Sequence, residues 1–464
     1  MKMLIRNIKI VLILFLMVSF ALLAGLVFQQ YRGKTQFAVA AGENRAALKA
    51  RYANAGTIFA GDGSVLAQSK DGKRSYSKDA TTAKAVLHVV GDYTHRIGNT
   101  IEAVYQGQLL GTDRNFLHQL LLDFSGRGLV GDNVMLTIDP SLSKKAYQLL
   151  KGQKGAIVLL NYKTGAILAS VSSPGTSPDS VIAWKNIPET SLYDRALQGA
   201  YSPGSTFKIL TTAAWLGANE YDADLEVDCK GKSTVVYNGA DESSGSHGHE
   251  NLASAFSDSC NVFFGQIGFK SGKEQLLATA RAFGIGETLA VDRLSVRTGQ
   301  IDTADDPATL SWLAIGQPNE FSDLLMSPLQ LVLLTGAIGN GGVMQQPRII
   351  DHLTDPIGTN YQMLQPKPLK TIMDTKTATL LEKLMIEATR NGTGASAAIR
   401  GYTVAGKTGT VQVEGKKNNA LYVGYIVEDT APYAVVVVVE EGGSGGRVAA
   451  PIAAQLLRAA TLLK

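Results

Sequence analysis

Cysteine and histidine are scarce in this sequence, and their scarcity excludes several kinds of metal and disulfide protein. The 464 residues include two cysteines and six histidines. Two cysteines form neither a disulfide framework nor a zinc site with four cysteine ligands. The histidines are scattered along the chain and leave little room for a histidine-rich metal centre. The sequence therefore predicts a protein that works without a metal ion and without a cofactor.

Strong charge of either sign is also missing. The formal net charge is +4 and the pI is about 8.8, a bias too weak to favour a nucleic-acid partner. Hydrophobic residues make up 45% and charged residues 18% of the chain, close to the average of globular proteins. This composition excludes a disordered, collagen-like or coiled-coil protein, and the length allows two or three domains.

The sequence has little long apolar sequence. Its one long apolar run lies near the N-terminus. Residues 10–28 contain no charged side chain, and a helix of this length spans about 28 Å, close to the thickness of the apolar part of a bilayer. Lys2, Arg6 and Lys9 precede the run, and short basic segments of this kind stay in the cytoplasm. The sequence predicts a cytoplasmic tail at 1–9, a transmembrane helix at 10–28 and all later residues outside the cell membrane.

A cleaved secretory signal is the alternative interpretation of this segment. Residues 38–40 have the Ala-x-Ala pattern of a cleavage site. The apolar run is longer than the core of an ordinary signal peptide, however, and Arg32 and Lys34 lie between the run and that site. We therefore predict an uncleaved, single-pass anchor.

The part outside the membrane divides by its pattern into two predicted domains. Residues 29–131 have few long apolar runs and contain a Gly-Asp-Gly turn, as expected for a linker followed by a small first domain. Residues 132–464 begin with an apolar hairpin pattern, continue with helical spacing and end with three apolar strand patterns. A sheet built from both ends of a segment with a helical middle predicts an α+β, sandwich-like fold.

The Ser-x-x-Lys motif, which can pair a nucleophile with a base, occurs at Ser75, Ser141 and Ser205. Ser205 follows Pro-Gly and begins an apolar helical pattern, so that Lys208 lies one turn along the same face. A serine at a helix N-terminus also lies beside free N–H groups and the positive end of the dipole. The other two copies lack this setting, and we predict that Ser141 caps a helix. The predicted nucleophile is Ser205, with Lys208 as its base.

The Lys-Thr-Gly motif occurs twice, at Lys163 and at Lys407. The first copy lies in the turn of a predicted hairpin, where the lysine is solvated and the glycine adopts a positive φ. The second copy begins an apolar strand pattern, and a glycine inside a strand allows a ligand backbone to approach closely. We predict that the second copy is the functional one.

The order of three motifs is more specific than any one of them. Ser-x-x-Lys at 205–208 precedes Ser-Cys-Asn at 259–261, which precedes Lys-Thr-Gly at 407–409. Penicillin-binding proteins and serine β-lactamases have this order, with aspartate where Cys260 stands here. The chain resembles the class B penicillin-binding proteins, which are membrane-anchored, monofunctional peptidoglycan transpeptidases. The resemblance covers nearly the whole outer portion and is carried by residues 131–139, 155–169, 195–208, 259–261, 327–330 and 405–410.

The resemblance implies acyl transfer on stem peptides that end in D-Ala-D-Ala. Ser205 would attack the carbonyl of the penultimate D-Ala, and Lys208 would take the proton because burial and the Lys407 ammonium lower its pKa. Ser259 would relay a proton to the leaving amine, and Lys407 would hold the Ser259 hydroxyl. The backbone N–H groups of Ser205 and Thr410 would form the oxyanion hole.

The resemblance also implies how substrate is held and where the protein works. Asn261 would bond the substrate amide, and Lys407, Thr408 and Thr410 would bind the terminal carboxylate, while the strand through Gly409 would pair with the peptide. β-Lactams would acylate the same site. The implied fold is an antiparallel sheet flanked by helices on a small pedestal domain. The implied location is the bacterial cell membrane, and the implied partner is a membrane glycan polymerase of the shape, elongation, division and sporulation family.

Two other activities are alternatives. A β-lactam-hydrolysing or β-lactam-sensing protein shares the motifs, but a class A hydrolase needs a glutamate for deacylation, and no Glu-x-x-Leu-Asn segment follows Ser259. A D,D-carboxypeptidase differs only in using water instead of an acceptor amine. The sequence leaves open this choice and the choice between elongation, division and sporulation.

The remaining chemically notable residues are predicted to be structural. His247, His249 and Glu250 resemble metal ligands, but they lie in a Gly/Ser-rich loop without a further ligand on a fixed element, so no metal is predicted there. Cys229 and Cys260 lie where a disulfide is permitted, and we favour two buried thiols over a bond. The three tryptophans are predicted core residues.

Overall fold

The structure is a computed structural model that describes residues 2–32, 49–184, 187–236, 238–242 and 245–463. Most of the predicted linker after the anchor, including the Ala-x-Ala pattern at 38–40, lies outside the described residues.

The N-terminal segment is one helix, α1 (Lys2–Arg32). Within the described residues it is the one helix long and apolar enough to cross a membrane, over Arg6–Phe28, and none of that span is buried against the protein. The helix begins well before the predicted boundary at residue 10, because lysine, arginine and isoleucine are all accepted in helices. This element fits a single-pass membrane protein.

Fourteen further helices follow within the described residues: α2 (Ala80–Ala85), α3 (Leu87–Val90), α4 (Ile101–Val104), α5 (Gln106–Leu109), α6 (Phe116–Phe124), α7 (Pro140–Leu149), α8 (Pro178–Ala183), α9 (Lys208–Leu216), α10 (Leu252–Asp258), α11 (Asn261–Ala282), α12 (Pro307–Ala314), α13 (Pro328–Gly339), α14 (Thr375–Arg390) and α15 (Ala450–Ala460). Short 3₁₀ turns lie at Tyr52–Asn54, Glu189–Ser191, Gly204–Phe207 and Ala395–Ala397, and a π-turn lies at Gly445–Ala449.

The strands of the described residues are β1 (Ile58–Phe59), β2 (Val65–Lys70), β3 (Lys73–Tyr76), β4 (Asn133–Leu136), β5 (Gly155–Asn161), β6 (Ile167–Ser173), β7 (Val227–Cys229), β8 (Gly248–Glu250), β9 (Ala290–Val291), β10 (Leu294–Ser295), β11 (Gln300–Thr303), β12 (Ser322–Leu325), β13 (Val343–Gln345), β14 (Ile350–Thr354), β15 (Asn360–Met363), β16 (Pro368–Thr371), β17 (Val404–Val411), β18 (Asn419–Ile426) and β19 (Tyr433–Val439).

The predicted sheet from both ends of the second domain is an antiparallel sheet with the order β17-β18-β19-β5-β6. Alternate valines of β19 belong to two separate core clusters, because side chains of a strand point to opposite faces of the sheet. The helix α13, which is apolar on nearly every side, packs on one face. The helices α7 and α15 cover the other face. This arrangement confirms the predicted α+β fold.

A second sheet connects the two predicted domains, and its order is β15-β14-β4-β1-β2-β3. The strands β1 to β3 come from the first domain, β4 begins the second, and β14 and β15 come from the middle of the second. The strands β1 and β4 pair in parallel, with Ile58 opposite Val134. The predicted boundary at residue 131 therefore precedes a strand of this shared sheet, and the division into two domains stays a prediction.

Two local predictions are wrong for reasons of backbone geometry. Residues 253–264 have helical spacing throughout, which predicts one helix. They form two, because Ser259 adopts a left-handed conformation (φ 62°) that ends α10, and Cys260 is the N-cap of α11. Ser141 does not cap α7. A proline occupies the first helical position, so the cap is the residue before it, Asp139.

Candidate active site

The predicted nucleophile, Ser205, lies in a 3₁₀ turn that begins at Gly204 and leads directly into α9. The turn is tightly packed, since a Cβ on Gly316 would lie 2.0 Å from the carbonyl oxygen of Gly204. A Cβ on Gly409 would lie 2.9 Å from the carbonyl oxygen of Pro203. The glycine of the Lys-Thr-Gly motif therefore allows β17 to pack against the turn that presents Ser205, whereas the sequence suggested that it makes room for a ligand.

The predicted base, Lys208, is fully buried. Its Nζ donates hydrogen bonds to the carbonyl oxygen of Ser259, to the Ser259 hydroxyl at 3.2 Å and to Oδ1 of Asn261 at 2.8 Å. Burial lowers the pKa of Lys208 to about 8. Within the described residues no hydrogen bond joins Lys208 to Ser205, so its amine contacts the Ser-x-Asn motif rather than the serine of its own motif.

The third motif places Lys407 in the middle of β17, where the side chain is also fully buried. Its Nζ donates a hydrogen bond to the Ser259 hydroxyl at 2.8 Å. Burial, and then the charge of Lys208, lower the pKa of Lys407 well below its usual range. The Ser259 hydroxyl therefore lies between two buried lysine amines, one from each of the other motifs.

Two residues of the loop before β8, Asp241 and Glu242, hold the Ser-x-Asn motif at the start of α11. The carboxylate of Glu242 accepts the backbone N–H groups of Asn261 and Val262, at a helix N-terminus where the dipole favours an anion. Nδ2 of Asn261 donates a hydrogen bond to the carbonyl oxygen of Asp241 at 2.9 Å. Asn261 thus has two protein partners, Asp241 and Lys208, in addition to any contact with substrate.

The strand β17 forms one edge of the five-stranded sheet, and the backbone of an edge strand can pair with an extended peptide. The Thr408 hydroxyl donates a hydrogen bond to the Thr393 hydroxyl at 3.0 Å. The Thr410 hydroxyl accepts the N–H of Gly445 at 3.2 Å. Both threonine side chains are therefore held in place beside this edge.

A cleft of about 520 Å³ opens next to β17. Five of the predicted site residues line it: Ser205, Ser259, Asn261, Thr408 and Thr410. Lys208, Lys407 and Gly409 are buried beside these five. The residues that the sequence analysis assigned to the site therefore lie together around one cleft.

Sequence reasoning missed the other residues that line the cleft, among them Trp312, Gln317, Thr393 and Arg447. Trp312 was expected in the core, yet it is only half-buried, and its Nε1 donates a hydrogen bond to the carbonyl oxygen of Asn238 at 3.0 Å. Arg447 lies in the π-turn after a Gly-rich run. The Gly-rich run could have indicated this turn, because glycines close together in sequence are typical of tight turns.

The other copies of the motifs lie elsewhere in the fold. Lys163 lies in the turn between β5 and β6, its side chain is 39% exposed, and its Nζ is 3.1 Å from a carboxylate oxygen of Asp429. Ser75 lies in β3 and Ser141 in the first turn of α7, and both are exposed. None of these residues lines the cleft.

The two cysteines are buried free thiols, as the sequence analysis favoured. They lie near Glu242 and His247, and together the four side chains have the donor atoms of a metal site. This is a different set from the His247, His249 and Glu250 group considered in the sequence, since His249 is exposed. Separated ligands of this kind have no periodic spacing that sequence reasoning can detect.

Comparisons with known proteins indicate the family to which this chain belongs. Residues 155–458 match the family model of the penicillin-binding protein transpeptidase domain. The chain is 30% identical over 440 residues to the peptidoglycan D,D-transpeptidase PbpA of Mycobacterium tuberculosis. The alignment covers 87% of this chain and 88% of that protein.

Solved structures show the same relationship. The ceftriaxone acyl-enzyme complex of penicillin-binding protein A from Mycobacterium tuberculosis has a TM-score of 0.80 and 29% identity, over 89% of this chain and 100% of that one. A D,D-transpeptidase domain from Eggerthella lenta has a TM-score of 0.75 and 28% identity, over 88% of this chain and 97% of that one. Since the family model matches well over half of the sequence, this chain belongs to the penicillin-binding protein transpeptidase family.

Proposed function

We propose that this protein is a peptidoglycan D,D-transpeptidase that cross-links stem peptides through an acyl-enzyme on Ser205. The observation that carries the proposal is the Ser259 hydroxyl, which lies between the amines of Lys208 and Lys407 in a cleft that also contains Ser205. A nucleophile, a buried amine and a relay hydroxyl in one cleft suit acyl transfer. Relatives that are named as a D,D-transpeptidase and as a β-lactam acyl-enzyme support the same reaction.

In the first half of the reaction, Oγ of Ser205 attacks the carbonyl carbon of the penultimate D-Ala and its proton passes to neutral Lys208. With a pKa of about 8, about a tenth of this amine is neutral at pH 7. Hydrogen bonds in active sites often tighten only when substrate binds, so we expect Ser205 and Lys208 to come into contact in the complex. The bond to the terminal D-Ala then breaks, and the proton held by Lys208 passes through the Ser259 hydroxyl to the leaving amine, so that both side chains return to their starting states.

In the second half, the amine of an acceptor stem peptide attacks the ester on Ser205. The ester bond breaks, the proton lost by the attacking amine goes to Oγ of Ser205, and a new amide joins the two peptides. The oxygen of the reacting carbonyl becomes negative in both halves. We propose that the backbone N–H groups of Ser205 and Thr410 hold that charge, since fixed donors of this kind stabilise the transition state strongly.

The substrate is held by the edge strand and by hydrogen bonds to its terminal carboxylate. The terminal carboxylate lies against Lys407, Thr408 and Thr410, and the peptide backbone extends the sheet along β17 past Gly409. Asn261 bonds the substrate amide with the Nδ2 proton that Asp241 does not use. A β-lactam has a reactive amide and a carboxylate at comparable positions, so it acylates Ser205 in place of the peptide.

The orientation in the membrane, the domain division and the partner belong to the same proposal. The basic segment at 2–9 keeps the N-terminus in the cytoplasm, which puts the cleft on the outer side of a bacterial cell membrane. Residues 29–131 act as linker and pedestal, and residues 132–464 act as the catalytic domain. The resemblance to class B proteins supports a membrane glycan polymerase of the shape, elongation, division and sporulation family as partner.

A fluorescent penicillin incubated with the full chain in detergent tests the nucleophile. One adduct should form, peptide mapping should locate it on Ser205, and Ser205→Ala should abolish labelling while the thermal unfolding temperature stays the same. Ser141→Ala is the matched control, because this serine has the same motif but is exposed, and it should be labelled like the wild type. An adduct on Ser75 or Ser141 would contradict the proposed site.

A synthetic stem pentapeptide distinguishes the three activities. Release of D-Ala together with a cross-linked product supports transpeptidation, whereas release of D-Ala to water alone in the presence of acceptor indicates a carboxypeptidase. Rapid turnover of a chromogenic cephalosporin, instead of a stalled adduct, indicates a β-lactam hydrolase.

A further inference from the structure

The helix α6 (Phe116–Phe124) turns an apolar face away from the protein. Five large apolar side chains of this helix are between 40% and 84% exposed, namely Phe116, Leu117, Leu120, Leu121 and Phe124. At 3.6 residues per turn they lie within an arc of about 140° of the helix circumference. A surface helix normally points its apolar side chains at the core, so α6 has the reverse arrangement. We call these five side chains the α6 apolar face.

The opposite side of α6 holds the helix on the protein. Leu122 is fully buried there. Nε2 of Gln119 donates a hydrogen bond to the carbonyl oxygen of Gly128 at 3.0 Å, and Nε2 of His118 lies 3.2 Å from a carboxylate oxygen of Asp355. These contacts fix the rotation of the helix about its axis. The α6 apolar face therefore cannot turn inward unless these contacts break.

Further exposed apolar side chains lie close to the α6 apolar face. Leu129, in the loop after the helix, is 84% exposed. The ring of His118 lies 6.0 Å from the ring of Tyr361, which places the edge strand β15 beside α6, and on this strand Tyr361 and Met363 are both exposed. Single exposed apolar residues are common on protein surfaces. Several on one side of a domain mark a surface that binds a protein or a membrane.

The position of α6 along the chain favours the membrane. Sixteen residues, 33–48, connect α1 to Lys49, and a segment of this length spans at most about 60 Å. The carbonyl oxygen of Asn54 accepts the N–H of Gly131 at 2.9 Å, and Gly131 follows Leu129 by two residues. The segment that contains α6 therefore ends beside the point where the chain from the anchor enters the first domain.

We propose that the α6 apolar face inserts into the surface of the membrane that α1 crosses. A helix of this kind lies parallel to the bilayer, with its apolar side chains about 5–10 Å deep at the boundary of headgroups and acyl chains. The tether keeps α6 close to the bilayer, so a modest gain from each side chain is enough for binding. Attachment through both α1 and α6 restricts the tilt of the first domain. The proposal depends on α1 as an anchor and not on the transpeptidase reaction.

Cutting the tether tests whether α6 binds lipid by itself. The full chain, with a protease site inserted within 33–48, is reconstituted into vesicles of phosphatidylethanolamine and phosphatidylglycerol that contain no other protein. After cleavage, the part released from α1 should float with the vesicles. The variant Leu117→Gln/Leu121→Gln/Phe124→Gln should lower the bound fraction at least about tenfold, because it removes most of the apolar area. Phe321→Gln is the matched control, since this residue is 61% exposed elsewhere in the fold, and it should float like the wild type.

The other possible occupants of this face give different results. Wild-type protein that leaves the vesicles as a monomer would overturn the proposal and assign the face to a protein partner. Wild-type protein that leaves them as a dimer would overturn it in favour of a second copy of this chain. The triple variant should unfold at the same temperature as the wild type in detergent, because the exposed side chains contribute little to the core. Equal flotation of the triple variant and the wild type would also contradict the proposal.

A depth measurement on the uncut chain does not depend on loss of binding. A fluorophore attached to Leu121→Cys should be quenched by lipids with brominated acyl chains. The same fluorophore on Phe321→Cys should not be quenched. The two native cysteines are buried, and labelling of the wild type measures their background. Absence of quenching at position 121, or equal quenching at both positions, would show that α6 does not enter the bilayer.

Discussion

The same tripeptide, Lys-Thr-Gly, occurs in two places whose surroundings differ completely. At Lys163 it forms a hairpin turn, where the side chain is 39% exposed and its partner, Asp429, is 83% exposed. At Lys407 it forms the middle of a buried strand, and the amine bonds the Ser259 hydroxyl. The lysine is a solvated charge in the first place and an amine with a strongly lowered pKa in the second. Burial and neighbours, rather than the motif, determine what this side chain can do.

The largest effect on the acylation rate is expected for the lysines of the other repeated motif, Ser-x-x-Lys. Lys208→Ala should slow acylation by about 10²–10⁴, the usual contribution of a positioned base. Lys144→Ala, in the exposed Ser-x-x-Lys copy, should change the rate by less than about threefold, because its ion pair with Asp79 is on the surface. Second-order rates with a fluorescent penicillin measure both. A Lys208→Ala rate near the wild-type value would show that another group removes the proton.

The two Lys-Thr-Gly lysines should differ by the next largest amount. Lys407→Ala should slow acylation by about 10²-fold, as for loss of a fixed donor in an acyl-transfer site, since it removes a carboxylate contact and the partner of Ser259. Lys163→Ala should change the rate by less than about threefold. The same labelling assay applies to both variants. If the two substitutions lowered the acylation rate equally, the burial of Lys407 in β17 would not be what makes this lysine functional.

The pH dependence of acylation tests the lowered pKa itself. Lys208 takes a proton only when it is neutral, so the rate should rise by about tenfold per pH unit below the pKa and level off above it. With a pKa of about 8, the bend should lie near that pH. Lys208→Ala should remove this dependence, whereas Lys163→Ala should retain it. A wild-type rate that is constant through this range would contradict the assignment of Lys208 as base.

The glycines of the two copies should respond in different ways, with the smallest effect on rate. In Gly409→Ala the new Cβ would lie 2.9 Å from the carbonyl oxygen of Pro203, which should shift the Ser205 turn and slow acylation by about tenfold. In Gly165→Ala the residue keeps a φ of 72° and its Cβ would lie 2.1 Å from the carbonyl oxygen of Gln346. That strain should cost about 1–3 kcal/mol of stability.

Parallel thermal unfolding and labelling experiments distinguish the two glycine effects. Gly165→Ala should lower the unfolding temperature while the acylation rate of the folded protein stays within about threefold of the wild type. Gly409→Ala should lower the rate more than the unfolding temperature. If Gly165→Ala slows acylation as much as Gly409→Ala does, the hairpin turn and the cleft are coupled.

The fold, and the meeting of the three motifs at one cleft, could be predicted because they depend on pattern and order. The apolar strands at both ends of the second domain specify the sheet, since a run such as the valines of β19 suits a strand covered on both faces. The three motifs, in their order along the chain, indicate which residues meet. The choice among copies followed from local setting, because the pattern placed Lys163 in a turn and Lys407 at the start of an apolar strand, which in the structure begins earlier, at Val404.

The resemblance implied the contact between Lys407 and the Ser259 hydroxyl, but the contacts of Lys208 could not be predicted, because they depend on the direction of side chains from distant segments. Lys208 bonds Ser259, 51 residues away, and this contact depends on the left-handed break at Ser259 that the helical pattern conceals. The proximity of the two cysteines could not be predicted for the same reason. Cys229 and Cys260 are brought together by a two-stranded ribbon and a helix start, for which their spacing in the sequence provides no indication.

The shared six-stranded sheet determines how the protein can be shortened. The strand β4 pairs with β14 on one side and with β1 on the other. A truncated chain that begins at residue 132 loses β1. The backbone groups of β4 that pair with β1 then lose their hydrogen-bond partners, next to the apolar side chains of Val134 and Leu136. Bare apolar edges pair with other molecules and promote aggregation. A soluble form for crystallisation or inhibitor screening should therefore begin before the buried Tyr52 and retain the whole sheet.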